Sequence, residues 1–238
     1  MIDRRGAPRS ADQRDAAIEV TPFRLLNNVW HPELPADAGT QSIRAQSGRH
    51  GMRVGWEWDW ATRDGDGVPA SYPSLVLGRK PWDGNPAAPG TSLPLPLDEL
   101  RSLQVRWQPH LDATGRYNLA IETWLCLPGQ ISADGIRHEI MVWLARSGDV
   151  QPIGRPVVTG EGYVLWHGDA RHWKCSSFVL AAPPRHGIVD LLALLQRLEL
   201  LKLIDPGLVI ADIEFGTEVW DGRGRLSSSL PRVEPVRR

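Results

Sequence analysis

Residues 136–145 read IRHEIMVWLA, and the alternation inside them decides the fold class. Successive side chains of a strand point to opposite faces. Glu139, Met141 and Trp143 then share one face, and Ile140, Val142 and Leu144 share the other. The second set is aliphatic core. The first sets a carboxylate, a thioether and an indole in a row, which is costly to bury and suited to the floor of a sugar cleft.

Working outward, residues 117–126 (YNLAIETWLC) repeat the arrangement. Asn118, Ala120, Glu122 and Trp124 face one way, and Leu119, Ile121 and Leu125 the other. Residues 209–220 (VIADIEFGTEVW) give a third case. Here Val209, Ala211, Ile213 and Phe215 form the apolar set, with Glu214 and Glu218 opposite, provided Gly216 introduces no bulge. Three strands thus each place a Glu on the non-core face of a Trp-bearing sheet.

The rest of the chain has the same grain. Its 23 Gly and 20 Pro are spread throughout and punctuate many short strands. Further strands are expected over 53–60, 74–77, 104–109, 162–167, 176–180 and 225–229. Turns are expected at 63–67, 81–85 and 147–149. One segment breaks the pattern: residues 188–204 carry apolar side chains at 191, 194, 195, 198 and 201, the spacing of an amphipathic helix, and Asp205-Pro206-Gly207 stops it. The expectation is an all-β sandwich with one packed helix. Residues 1–20, Arg- and Asp-rich without clear periodicity, read as a mobile leader, 21–230 as one domain, and 231–238 as a tail.

Composition sets bounds. A chain of 238 residues suits one large β domain. A net charge of −1 implies no general attraction to nucleic acid or an anionic membrane. No stretch approaches the ~20 apolar residues of a membrane span, and the first twenty residues lack the apolar region of a secretory signal. Of 27 basic residues only Lys80, Lys174 and Lys202 are lysines, read here as a coding bias. Cys126 and Cys175 are too few for a disulfide framework and are either bridged or free. His138-Glu139 begins like an HExxH zinc motif, but position 142 is Val and the segment is a strand. The seven His show no other ligand spacing, so no metal or cofactor is expected. Eleven Trp stand against three Tyr and three Phe. About half of them can be core filler, and the others are flat apolar rings of the kind on which sugars stack.

Taken in order, these segments resemble glycoside hydrolase family 12 across about residues 25–230. The resemblance is carried by Asn27-Asn28-Val29-Trp30, the strand with Trp56, Trp58 and Trp60, Ser71-Tyr72-Pro73-Ser74, Trp107 and Tyr117-Asn118-Leu119-Ala120. It continues with Glu139-Ile140-Met141-Val142-Trp143-Leu144, Pro152-Ile153-Gly154, Ser177-Phe178-Val179 and Gly216-Thr217-Glu218. It implies a β-jelly roll of two antiparallel sheets with a cleft across the concave one. It implies an endo-acting, retaining β-1,4-glucanase that works as a secreted monomer on a β-glucan polysaccharide.

By the same resemblance Glu139 is the nucleophile and Glu218 the general acid/base, and Glu122 stands where the family usually has an Asp beside the nucleophile. Retention needs two carboxyls about 5–5.5 Å apart. Asn28, Trp30, Trp58, Asn118, Met141, Trp143 and Trp220 are the expected substrate contacts. Xyloglucan and mixed-linkage glucan remain open as substrates. A non-catalytic sugar-binding sandwich would also be Trp-rich, but it would not need Glu122, Glu139 and Glu218 together.

Overall fold

The computed structural model describes residues 8–30, 38–62, 67–82, 84–160 and 162–238. Residues 1–7 of the expected leader, 63–66 of one expected turn and Asp83 of another lie outside them. Nineteen strands are formed among the described residues. In chain order they begin with β1 (Arg9–Ala11), β2 (Ala17–Val20), β3 (Phe23–Leu26), β4 (Gly39–Gly48), β5 (Gly51–Trp60), β6 (Ser74–Gly78) and β7 (Leu95–Pro96). Then come β8 (Leu100–Arg106), β9 (His110–Ala113), β10 (Tyr117–Cys126), β11 (Ile136–Ser147), β12 (Arg155–Gly160), β13 (Tyr163–Ala170) and β14 (Trp173–Leu180). After β15 (Ile188–Asp190) and helix α1 (Leu191–Leu200) the chain closes with β16 (Val209–Ile210), β17 (Asp212–Val219), β18 (Gly222–Ser229) and β19 (Arg232–Arg237).

The outer sheet has the order β1-β4-β5-β18-β9, and the inner sheet β12-β13-β14-β11-β10-β17-β6-β3-β2, with β16 and β7 beside β10. Strands β15-β8-β19 form a small third sheet. Among the described residues pairing is antiparallel except between β11 and β14, which run parallel. The expected jelly-roll sandwich is therefore present, with that one parallel seam inside it.

The core lies between the two large sheets. Ile43, Val54 and Leu226 from the outer sheet meet Leu25, Leu75, Ile121, Val142, Ile213 and Phe215 from the inner one, all buried. Each full burial of such a side chain is worth about 1.5–3 kcal/mol relative to exposure. Trp56, Trp58 and Trp60 join the same core. The reason is visible in β5 itself: Glu57 and Asp59 alternate with them and take the solvent side. Trp56 donates its indole N–H to Thr217 Oγ1 (3.2 Å), on the core face of β17.

Helix α1 is shorter than its periodicity suggested. Asp190 caps it, its carboxylate accepting from the Ala193 N–H at 3.0 Å. Lys202, at φ +58°, closes it before the Asp-Pro-Gly stop is reached. Leu191, Leu192, Leu195 and Leu198 are its buried residues.

Two boundary expectations need correction. Residues 9–20 are not a mobile leader, because β1 pairs with β4, β2 pairs with β3, and Ile18 and Val20 are buried. Residues 231–238 are not a free tail either, because β19 pairs with β8.

Candidate active site

The centre of the inner sheet is the strand triplet β11-β10-β17, and its register brings the carboxylates together. Trp124 on β10 lies opposite Glu139 on β11, and Glu122 lies opposite Met141. On the other side Glu122 faces Glu214 of β17, and Asn118 faces Glu218. No bulge interrupts the β10–β17 ladder at Gly216. Glu122, Glu139, Glu214 and Glu218 thus share the face turned away from the core, as the alternation required.

The third apolar set was only partly right. Ile210 and Ile213 enter the main core, whereas Val209 and Ala211 pack with Trp124, Cys126 and Ile136 on the opposite side. The chain changes phase at Ala211, where β16 ends and β17 has not begun. Asp212, fully buried, shares the carboxylate face with Glu214 and Glu218 by the unbroken alternation of β17, and it accepts from the Trp124 backbone N–H at 3.2 Å.

Each carboxyl has its own partners. Trp173 Nε1 donates to Glu139 Oε2 at 2.7 Å, and Cys175 is the Cα partner of Glu139 across the parallel seam. Asn118 donates from its amide nitrogen to Glu218, while its amide oxygen accepts from the Glu218 backbone N–H at 3.2 Å. Glu214 is the most enclosed. Lys80 Nζ lies 2.7 and 2.6 Å from its two oxygens, Ser74 Oγ donates at 3.1 Å and Trp124 Nε1 at 3.3 Å.

Two glycines make room for this. A Cβ on Gly216 would lie 2.5 Å from the Tyr72 ring, which is fully buried under the face. Gly78, at φ +106°, ends β6, and a Cβ there would come within 2.6 Å of the Ala211 carbonyl.

Crowding and burial shift the titrations. Glu218 is pushed up to about 8, first by burial and then by the charge of Glu139, with the Asn118 hydrogen bond opposing. Glu139 is pushed up to about 7 by burial, against which its Trp173 hydrogen bond works, while Glu214 raises it and Lys80 lowers it. Glu122 lies well above the usual carboxylate range because of burial, then of Glu214 and Glu139, with Lys80 offsetting part. Asp212 is likewise held well up by burial and by Glu214.

Aromatic rings line the same face. Trp82, Trp124 and Trp173 form a cluster beside Glu139 with ring centroids 4.9–5.5 Å apart. Trp82 is 41% exposed and Trp30 39%, and Trp30 leans on Tyr72 at 6.0 Å. Asn28, half-buried, falls on the same side of its extended segment as Trp30. Met141, Trp143 and Trp220 cluster together with Ala120 and Val150, and Trp143 Nε1 points at the Met141 sulfur, 3.4 Å away. A hollow of about 440 Å³ continues this floor between Trp143, Tyr163, Val164 and Val179.

Two expected contacts are not where the sequence reading put them. Trp58 is inter-sheet core, edge-on to Tyr117 at 6.4 Å, and it borders a hollow on the outer sheet. Asn118 is fully buried and serves Glu218. Trp82, Trp173 and Lys80 were not anticipated as part of the site. Trp82 sits in a turn, where no alternation marks a face, Trp173 opens β14 three residues before the strand expected over 176–180, and the rarity of lysine in this chain was the one available sign of Lys80. Cys126 and Cys175 are both free and buried.

The chain is similar to endoglucanase S of Pectobacterium parmentieri, 26% identical over 223 residues, covering 89% of this chain and 81% of that protein. Its fold is similar to that of endoglucanase cel12A from Rhodothermus marinus, with a TM-score of 0.77 and 26% identity over 95% of this chain and 99% of that one. It also matches a family 12 xyloglucanase from Bacillus licheniformis, with a TM-score of 0.81 and 23% identity over 96% and 100% of the two chains, a likeness of fold. The family profile described as Glycosyl hydrolase family 12 matches residues 21–229. The chain belongs to glycosyl hydrolase family 12 and is an endo-acting glycoside hydrolase.

Proposed function

We propose that the enzyme cleaves internal β-1,4 bonds of soluble β-glucans with retention, Glu139 attacking and Glu218 serving as acid and then base. The observation that carries this is the unequal treatment of two buried carboxyls on one face. Glu218 is held protonated to about 8 by burial and by the charge of Glu139, while Glu139 receives an indole N–H that favours its anion. Retention requires that asymmetry.

In the first step Glu218 gives its proton to the glycosidic oxygen as the C1–O bond breaks, and a Glu139 oxygen bonds to C1. In the second, the Glu218 carboxylate takes a proton from water, whose oxygen displaces Glu139 from C1. Glu122, diagonal to Glu139 and held well above the usual carboxylate range by burial, supports the nucleophile without bonding to the sugar. Trp82, Trp30 and the floor around Trp143 are the stacking surfaces, and Asn118 holds the acid. The endoglucanase names of relatives at 26% identity support a β-glucan substrate. A polymer of that size is met outside the cell, which favours secretion.

The roles are separable by experiment. Glu139→Ala should be nearly inert on every substrate, and azide should rescue it with an inverted product. Glu218→Ala should fail on natural glucans yet keep fast glycosylation on activated aryl glycosides, with azide giving a retained product. Anomeric protons followed by NMR should show the β-anomer first in the wild type. An initial α-product would refute retention, and exchanged signatures would reverse the roles.

A further inference from the structure

The inner face gathers five buried carboxyls: Asp212, Glu214 and Glu218 from β17, Glu122 from β10 and Glu139 from β11. Tyr72 beneath them, Cys175 on β14 and Cys126 on β10 are further titratable groups turned toward them, and all three are held up by burial. So many carboxyls at close range resist ionising together. Among the described residues, the cation that bears on Glu122, Glu139 and Asp212 alike is Lys80. Its placement is built. Gly78 turns the chain over the end of β6, and the Lys80 ammonium bridges both oxygens of Glu214, a side chain with no exposed surface. Ser74 and Trp124 fix the same carboxylate from two further elements, so it has little freedom to turn away.

We propose that Lys80 and Glu214 are a charge-setting pair for the reaction, positioning residues that reserve the remaining negative charge of the cluster for Glu139. With the pair closed, Glu214 is an anion whose charge is cancelled locally, and Glu139 ionises against a nearly neutral neighbour. If the ammonium is lost, Glu214 opposes that ionisation. If the Glu214 charge is lost instead, Lys80 is left uncompensated and assists it. Burial alone would lower the Lys80 pKa, but Glu214, Glu122 and Asp212 raise it, so the ammonium stays charged through the working range.

The inference rests on Glu139 being the nucleophile, and the test separates the two claims. The acidic limb of kcat/KM is measured on a soluble β-glucan for Lys80→Met, Glu214→Gln, the double variant and Lys80→Arg. The limb position does not depend on how much of a variant folds. Lys80→Met should move the acidic limb to higher pH and Glu214→Gln to lower pH, each by about half a unit or more, with the double variant near wild type. Lys80→Arg should restore the wild-type limb. Limbs that stay in place, or that move the same way in both single variants, would overturn the proposal while Glu139→Ala remains inert. Turnover retained by Glu139→Ala would overturn both claims.

Discussion

Glu139 and Glu218 differ in what holds them, and the difference should be readable in the pH–rate profile. The working form has Glu139 ionised and Glu218 protonated. Activity therefore rises as pH climbs through the first group and falls as it passes the second, at about 7 and about 8. We expect a narrow bell in kcat/KM centred between those values. Asn118→Ala removes the hydrogen bond that opposes the upward shift of Glu218, so the basic limb should move to still higher pH. A basic limb unmoved by that change would show that Asn118 does not hold the acid. At this scale the sequence was legible wherever a strand ran unbroken. Alternation alone put Glu122, Glu139 and Glu218 on one face. The expectation for Trp58 came from the resemblance, and alternation in β5 runs against it: Glu57 and Asp59 take the solvent side, which turns the indole between them into the core.

At the scale of elements, legibility depended on length. β10 was read to the residue because Leu119, Ile121 and Leu125 alternate with Asn118, Glu122 and Trp124 over one long strand, which leaves one phase possible. The Val209–Val219 region was misread at its start because the phase slip at Ala211 leaves no mark in residue type. β2 escaped notice because it is four residues long and follows an Arg- and Asp-rich stretch, although Ile18 and Val20 alternate with Glu19. Its burial changes what truncation should do. Ile18→Ala should cost about 2–4 kcal/mol, and removing residues 2–20 should lower the melting temperature by many degrees. Thermal denaturation of both variants checks this, and a deletion that melts with the wild type would return the segment to the status of a leader. Asp190→Ala should cost about 0.5–2 kcal/mol by uncapping α1.

For the whole molecule, the buried carboxyls make stability depend on pH in an uncommon direction. Glu122, Glu139, Glu218 and Asp212 all have folded-state pKa values above their ordinary ones. The folded state then binds more protons than the unfolded chain, and stability falls as pH rises through the folded values. Buried histidines work the other way. His138, lowered to about 3 with burial as the main cause, destabilises the fold only as pH drops below 6.5. Above about pH 7.5, where the unfolded-state histidines have given up their protons, the carboxyls dominate, so calorimetry should show the melting temperature falling steadily from there. Glu218→Gln should flatten that slope. A melting temperature that rises over that range would mean the carboxyl face is better solvated than its burial indicates.

The parallel seam between β11 and β14 has a consequence for how the enzyme fails. Strands β12, β13 and β14 are bound to one another by antiparallel ladders, but they join the rest of the inner sheet through that single parallel register. Parallel pairing is slightly the weaker kind, so apart from the packing of Leu165 and Phe178 in the core the three strands form a leaf whose backbone is attached along one edge. Trp173 and Cys175, which attend Glu139, both ride on the leaf. Lifting it would strip the nucleophile of its indole partner while β10 and β17 stay paired. Amide hydrogens of β12–β14 should then exchange as one group ahead of those in β10 and β17. On slow heating, turnover should be lost before the main calorimetric transition, so the temperature at which the enzyme stops working is set by one seam and not by the sandwich as a whole.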